Sequence, residues 1–427
     1  MAIQLTAEQQ AMLDGRQGEV KAKVMKTLVM YGEAFGAARM VPVESRMGHL
    51  VTSFGLSMMK PVYALMDTLI EAGAVSQQKF TVDPRPLDGA VPANFLQDVF
   101  FKVMYSKQSD YEAQLTKLGL VNEDGFTCTC YMDEIGNQPE ENQVLSWAES
   151  SAVVYANSVL GARCNRNSGI IELFGSIAGC VPEFGLLTDE GRKASWIIEV
   201  KTTKKPEAQL LGSAIGMKVM EDVPYIKGLD TWLGGELTGE ARAYLKDMGA
   251  ATASNGAVGL YHVENLTPEA KKLQHALILD RAQTYVIDDA ELARIQAGYP
   301  CIWKDKDAKP KLCFIGCPHL SREQLVRWAK DIEAALKAEG KEKLAVPTVM
   351  TAAPAVRKAF EGSKEAEQLK ARGVILSSIC PLMYMNNPLC GKMPVITCSN
   401  KLRTYSSARF YTEPEILAYI TKGGLRA

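Results

Sequence analysis

Residues 311–340 read KLCFIGCPHLSREQLVRWAKDIEAALKAEG. The opening KLCFIGC is a short apolar run, the length of a strand rather than a helix, and it ends at Cys317 because Pro318 cannot donate to a sheet ladder. Ser321 with Gln324 three residues on forms a capping box, which opens an amphipathic helix stopped by Gly340. The same alternation continues to the C-terminus. LAVPTVMTA (344–352) reads as a strand and PAVRKAFEGSKEAEQLKARG (354–373) as a helix. VILSSIC (374–380) is a strand ending at Cys380, MPVITC (393–398) one ending at Cys398, and EPEILAYITKGG (413–424) a closing helix. Strands and helices at this spacing predict an α/β fold with a doubly wound, mostly parallel sheet.

Upstream the pattern is weaker. SWIIEV (195–200), AVGLYHV (257–263) and AQTYVID (282–288) read as strands. The N-terminal segment up to about residue 70 reads as helices. Thr6 and Gln9 make a capping box there, and Val20, Val24, Leu28 and Tyr31 share one face. At 427 residues the chain exceeds the about 250–300 at which one core divides. We therefore expect two or three lobes around a central cleft, drawn as 1–210, 211–305 and 306–427.

Composition excludes several classes. Hydrophobic residues make up 47% and charged residues 23%, ordinary globular values. A net charge of −1 gives no overall field to draw nucleic acid or an anionic membrane. Lys60 interrupts the best apolar stretch, 50–70, and the N-terminus has no basic segment leading into an apolar core. A cytoplasmic protein with neither membrane nor nucleic-acid partner is expected. Ten cysteines in a reducing compartment are then free thiols, most of them small buried hydrophobes.

Three cysteines stand apart. In open parallel sheets ligands gather beyond the carboxyl ends of the strands, where Cys317, Cys380 and Cys398 fall, while Cys313 is mid-strand. Cys128-x-Cys130 is too tight for zinc pairing and there is no CxxC or HxxxH, so a structural zinc site is not expected. Thiolates from separate strands suit an iron–sulfur cluster, and a three-thiolate cluster leaves one iron open as a Lewis acid.

Residues 155–169, YANSVLGARCNRNSG, pose a different question. Small apolar residues suited to close packing alternate with Asn157, Arg163, Asn165, Arg166 and Asn167. Burying such groups unpartnered costs about 1–3 kcal/mol each. They pair within the fold, reach water, or surround an anion.

With its flanks, FTCTCYMDEIGNQP and SWAESSAVVYANSVLGARCNRNSG, this region resembles the hallmark segment of the aconitase X family. MLDGRQGE, His49 in RMGHLV, GCPHLSREQL, ICP and TCSNKLRTY are similar to further family segments, so the resemblance spans 5–420. Departures are Cys130 for Pro, Cys164 for Thr, Cys398 for Asn, Asn400 for Gly, and an apparent insertion, MYMNNPLCGK. The resemblance implies an aconitase-like fold and a hydro-lyase that removes water from a hydroxy acid. It implies an iron–sulfur cluster, [2Fe-2S], [3Fe-4S] or [4Fe-4S], on Cys128, Cys317 and Cys380, admitting Cys128 where strand ends alone select Cys398.

Such chemistry must hold a carboxylate and stabilise developing charge. Arg163 and Arg166 suit bidentate carboxylate binding, Asn157 and Asn165 offer amides, and Ser150 and Ser151 open a helix whose N-terminus favours an anion. His49 and His319 complete the candidate substrate-binding set, with Glu149 and Lys401 as candidate catalytic residues. Each has a plain structural alternative: an acid partner for either arginine, helix cross-linking by Asn157, an N-cap role for Ser150, orientation of the Cys317 turn by His319. The resemblance further implies a separate small, swivelling-domain subunit, since no room for that domain remains before Ala427. Cis-3-hydroxy-L-proline is the favoured substrate and mevalonate 5-phosphate the alternative. The rival class is a non-catalytic iron–sulfur carrier or sensor, in which Cys398 would close the cluster.

Overall fold

The computed structural model describes residues 3–424. Strands β1 (Met40–Pro42), β2 (Met47–Leu50), β3 (Lys79–Val82) and β4 (Cys180–Pro182) make up the first β region as two strand pairs, β1 antiparallel to β4 and β2 parallel to β3. Helices surround them. Thr6 caps the first, Ala7–Leu13, through the expected box, but β1 and β2 break the all-helical reading of this segment.

A second sheet is built from β5 (Ala194–Lys201), β6 (Pro224–Lys227), β7 (His262–Val263) and β8 (Ile278–Asp288), all parallel, in the order β7-β6-β5-β8. The helices Ala208–Val219 and Gly239–Asn255 provide crossovers. A parallel crossover cannot be split from its strands, so this unit begins near Ala194, and the boundary expected at 210/211 falls inside the helix Ala208–Val219. AVGLYHV is a strand only at His262–Val263.

The third sheet carries β9 (Leu312–Leu320), β10 (Thr348–Ala352), β11 (Val374–Ser377), β12 (Val395–Thr397) and β13 (Arg409–Phe410), wholly parallel in the order β11-β10-β9-β12-β13. Apolar clusters cover both faces, one around Trp328, Ile332 and Val356, the other around Phe314, Tyr384 and Leu402. The doubly wound expectation holds. Winding reverses between β9 and β12, and crevices beyond the carboxyl ends of such neighbours are where α/β sheets take ligands. The helix expected over 354–373 is two, Pro354–Phe360 and Lys364–Arg372, broken where Gly362 takes φ +81°. Among the described residues no helix is long and apolar enough to cross a membrane.

Candidate functional site

The rim of the third sheet is shaped by a slip in β9. Met350 pairs with Ile315, but Ala352 next pairs with Leu320, so Gly316 to His319 are pushed out of the ladder. Gly316 sits at φ +106°, and a Cβ there would stand 2.4 Å from the Thr351 carbonyl oxygen. Only glycine fits. Cys317 follows, and the Ser399 hydroxyl and Gln209 Nε2 (3.4 Å) both donate to its carbonyl.

Two other thiols join it from distant segments. Cys380 caps the short helix Pro381–Met385, three residues past β11, and its N–H donates to Arg85 O at 2.8 Å. Cys128 follows the 3-10 turn Glu123–Gly125, and its Sγ accepts from the His319 N–H at 3.4 Å. Cys317 lies in electrostatic reach of both, and Cys128 of Cys380. Burial pushes all three thiols up, Cys128 to about 12. At Cys317 the buried ammoniums of Lys401 and Lys246 pull the other way.

His319 ties the three segments. Its Nε2 faces the Ile379 carbonyl at 3.1 Å, one residue before Cys380. Its Nδ1 faces the Thr127 hydroxyl at 3.2 Å, one residue before Cys128. A carbonyl only accepts, so Nε2 carries the proton and Nδ1 takes one from Thr127. Burial lowers its pKa to about 4, keeping the ring neutral. Both nitrogens are engaged, so His319 positions the thiols and is not free to bind substrate, its alternative role in the sequence.

Beside the thiols lies a charged pair. Glu149 and Lys401 form a short salt bridge, both side chains nearly buried. Burial alone would raise the Glu149 carboxyl, but the charge and hydrogen bond of Lys401, with Ser151, hold it down at about 2. Burial opposes the Lys401 charge, yet Glu149, then Cys317 and Cys128, lift its pKa above the ordinary value. Ser151 Oγ donates to Glu149 at 2.8 Å. The helix Ser150–Ser158 is capped by Glu149 rather than by Ser150, whose hydroxyl makes no hydrogen bond among the described residues.

Two further groups face this pair. His49 Nδ1 meets Thr81 Oγ1 at 2.9 Å, and its buried Nε2 has no partner among the described residues. Burial takes its pKa down to about 4. Asp83, one residue past β3, escaped the sequence reading. It is buried, neither oxygen has a hydrogen-bond donor among the described residues, and burial, then the Glu149 charge, raise its pKa well above the carboxylate range. A proton on Asp83 is what lets two carboxyls face each other. The strand-end logic that selected cysteines would have found Asp83 had it been applied to acids. Lys246, whose Nζ donates to His319 O at 3.2 Å, gave no local signal.

Three candidates are spent on the fold. Asn157 gives its amide hydrogens to Cys164 O and Gly259 O, both at 2.8 Å, and accepts from Cys164 N and Arg192. Arg163 pairs with Asp189 at 2.5 Å, and Asn165 bridges Phe184 O and Leu186 N. Within this fold the polar atoms of Asn157, Arg163 and Asn165, expected as substrate-binding groups, are engaged in closing loops. Arg166 differs. It is exposed, makes no hydrogen bond or ion pair among the described residues, and lies in the field of Glu149. Cys398 has Glu413, Cys313, Glu207 and Asp247 as its electrostatic neighbours, and none of the three thiols. With Glu413, Glu207 and Asp247, and with Cys317 itself, it lines a cavity of about 890 Å³. Among the described residues no three His, Cys, Asp or Glu side chains are gathered as ligands for a single ion.

Comparison with known proteins follows the same lines. A sequence profile described as the first domain of aconitase X matches residues 2–190, and one for its second domain matches 194–297. The phosphomevalonate dehydratase large subunit of Thermococcus kodakarensis is 33% identical over 83% of this chain and 82% of its own. The cis-3-hydroxy-L-proline dehydratase of Hypocrea jecorina is 30% identical over 48% of this chain and 34% of its own. The crystal structure of Thermococcus kodakaraensis aconitase X in its holo-form superposes with a TM-score of 0.79 at 28% identity, covering 98% of this chain and 100% of that one.

Proposed function

The chain belongs to the aconitase X family, and from that premise we propose that it is the large subunit of a hydro-lyase that removes water from a small hydroxy acid. The observation that carries this reading is the convergence of the Cys128, Cys317 and Cys380 thiols beside the buried Glu149–Lys401 pair. The donor set fits an iron–sulfur cluster: soft thiols, with two buried ammoniums to offset thiolate charge. Cys128, Cys317 and Cys380 would hold it, and when bound it supplies a Lewis acid toward the departing hydroxyl.

The protein groups supply the rest. Arg166, the guanidinium of 155–169 left without an acid partner, takes the substrate carboxylate at the mouth. Lys401, permanently charged, stabilises the negative charge that develops as the α-proton leaves. Glu149 fixes the Lys401 ammonium, and the free His49 Nε2 accepts from a substrate hydroxyl or amine. No group of this site is a strong base: Glu149 is too acidic, Lys401 holds its proton, Asp83 is already protonated, and the neutral His49, brought down to about 4 by burial, is a weak one. The base therefore comes from a small partner subunit.

Of the two guanidiniums of 155–169, Arg166 alone is unpaired among the described residues, and one guanidinium suits one carboxylate, which supports cis-3-hydroxy-L-proline over mevalonate 5-phosphate. The test is anaerobic co-purification with the small subunit and assay of water loss from hydroxyprolines and mevalonate 5-phosphate. Turnover of one of them, abolished together with the brown colour in Cys128→Ala, is the expected result. Colour without turnover of any hydroxy acid would instead support the non-catalytic carrier.

A further inference from the structure

The helix Phe95–Met104 is inside out. Its sequence, FLQDVFFKVM, holds seven apolar residues, yet the two it buries are Gln97 and Phe101. Phe95 (79% exposed), Leu96 (65%), Val99 (46%), Phe100 (37%) and Val103 (67%) face solvent at helical spacing, and Met58 (76%) extends their stripe. The link to Met58 is the hydrogen bond from Ser57 N to Met104 O, 2.8 Å. This is no frayed segment. Asn94 and Gln97 form a full capping box at its start.

Beneath it lies the apparent insertion noted in the sequence. Gln97 Nε2 reaches Cys390 Sγ at 3.3 Å and Met393 Sδ at 2.8 Å. Phe101 packs on Tyr384 with centroids 5.3 Å apart, and the Tyr105 hydroxyl donates to Met383 O at 2.8 Å. That segment begins within the helix Pro381–Met385, whose cap is Cys380. The outward apolar face is therefore carried on the chain that leaves the thiol site.

We propose that this face, Met58 with Phe95, Leu96, Val99, Phe100 and Val103, seats the small subunit. The inference rests on the two-subunit reading above. Six such side chains expose on the order of 500 Å² of apolar surface, much of the about 800 Å² that one side of a stable interface contributes. The largest apolar patch on a monomer is about 300–600 Å² and is often functional. The stripe itself is uncharged, with Asp98 and Lys102 at its side. Its occupant is thus recognised by shape and apolar area rather than by charge. A subunit that must bring a base to Lys401 and the thiols has to meet this rim. The Hypocrea jecorina relative, matched over only 34% of its length, carries in one polypeptide far more chain than is present here.

The test uses the full chain and the small-subunit polypeptide of the same organism, recognised by similarity to the unmatched part of the longer dehydratases. Binding is measured by sedimentation for wild type and for Val99→Glu/Val103→Glu, exposed positions whose substitution leaves Tm within a few degrees. Expected are a 1:1 complex for wild type, at least about 30-fold weaker binding for the variant, and slowed amide exchange over residues 95–104 in the wild-type complex. Undiminished binding by the variant, with unchanged exchange in wild type, overturns the docking surface alone. A wild-type chain that binds no small subunit overturns the two-subunit reading with it. A homodimer broken by the variant while small-subunit binding stays intact assigns the face to a second copy and refutes the proposal.

Discussion

Lys401 keeps its charge in a nearly dry place because Glu149 stands against it. Removing either partner leaves an uncompensated charge, so Lys401→Ala should cost about 3–5 kcal/mol in urea unfolding. Lys401→Met with Glu149→Gln should recover most of that stability and none of the turnover. Glu149 has its folded pKa below the ordinary 4.5, so the stability it gives is complete above that value and is lost as pH falls toward about 2. Glu172 runs the other way. Burial raises its pKa from 4.5 to about 8, between Ser146 and Asn167, so the unfolded chain ionises first and stability drains away as pH climbs from 4.5 to 8. Glu172→Gln should therefore raise Tm at pH 8 and change it little at pH 4.5, read by thermal melts at the two values. Residue types were legible in the sequence, their partners were not. Arg163 and Arg166 look alike in GARCNR, and what separates them is Asp189, 26 residues away.

At the level of elements, capping boxes and strand ends read well because their signals are local. Thr6 and Ser321 cap as expected, and Cys398 and Cys380 fall one and three residues past a strand, whereas Cys317, expected to end one, lies inside β9, which runs on through its slip to Leu320. The β9 slip was invisible, since it depends on the approach of Thr351 from the next strand. Gly316→Ala should disturb the turn that presents Cys317. We expect a loss of at least about 2 kcal/mol in stability and of most bound iron after reconstitution. The short strand at His262–Val263 and the break at Gly362 show the same limit, as tertiary neighbours decide where a marginal element stops.

For the whole molecule, parallel sheets and the aconitase-like architecture followed from strand–helix alternation and resemblance, whereas lobe boundaries did not, because no linker composition marks them. Cys398 and Cys128 separate the levels cleanly. Cys398→Ala should retain iron at the wild-type ratio, since its thiol faces the cavity beside Glu413 and Glu207, and Cys128→Ala should lose it. The purified chain alone should show no water loss from any hydroxy acid, and addition of the small subunit should restore it.

His319 gathers partners 191 residues upstream and 60 residues downstream. At about 5–20 residues per second on the ribosome, Cys128 waits roughly 10–40 s before its backbone donor is even made. During synthesis that thiol, with Cys130 two residues on, waits without the segment that later encloses it, so the nascent chain passes through an interval of exposure to oxidants and stray metal.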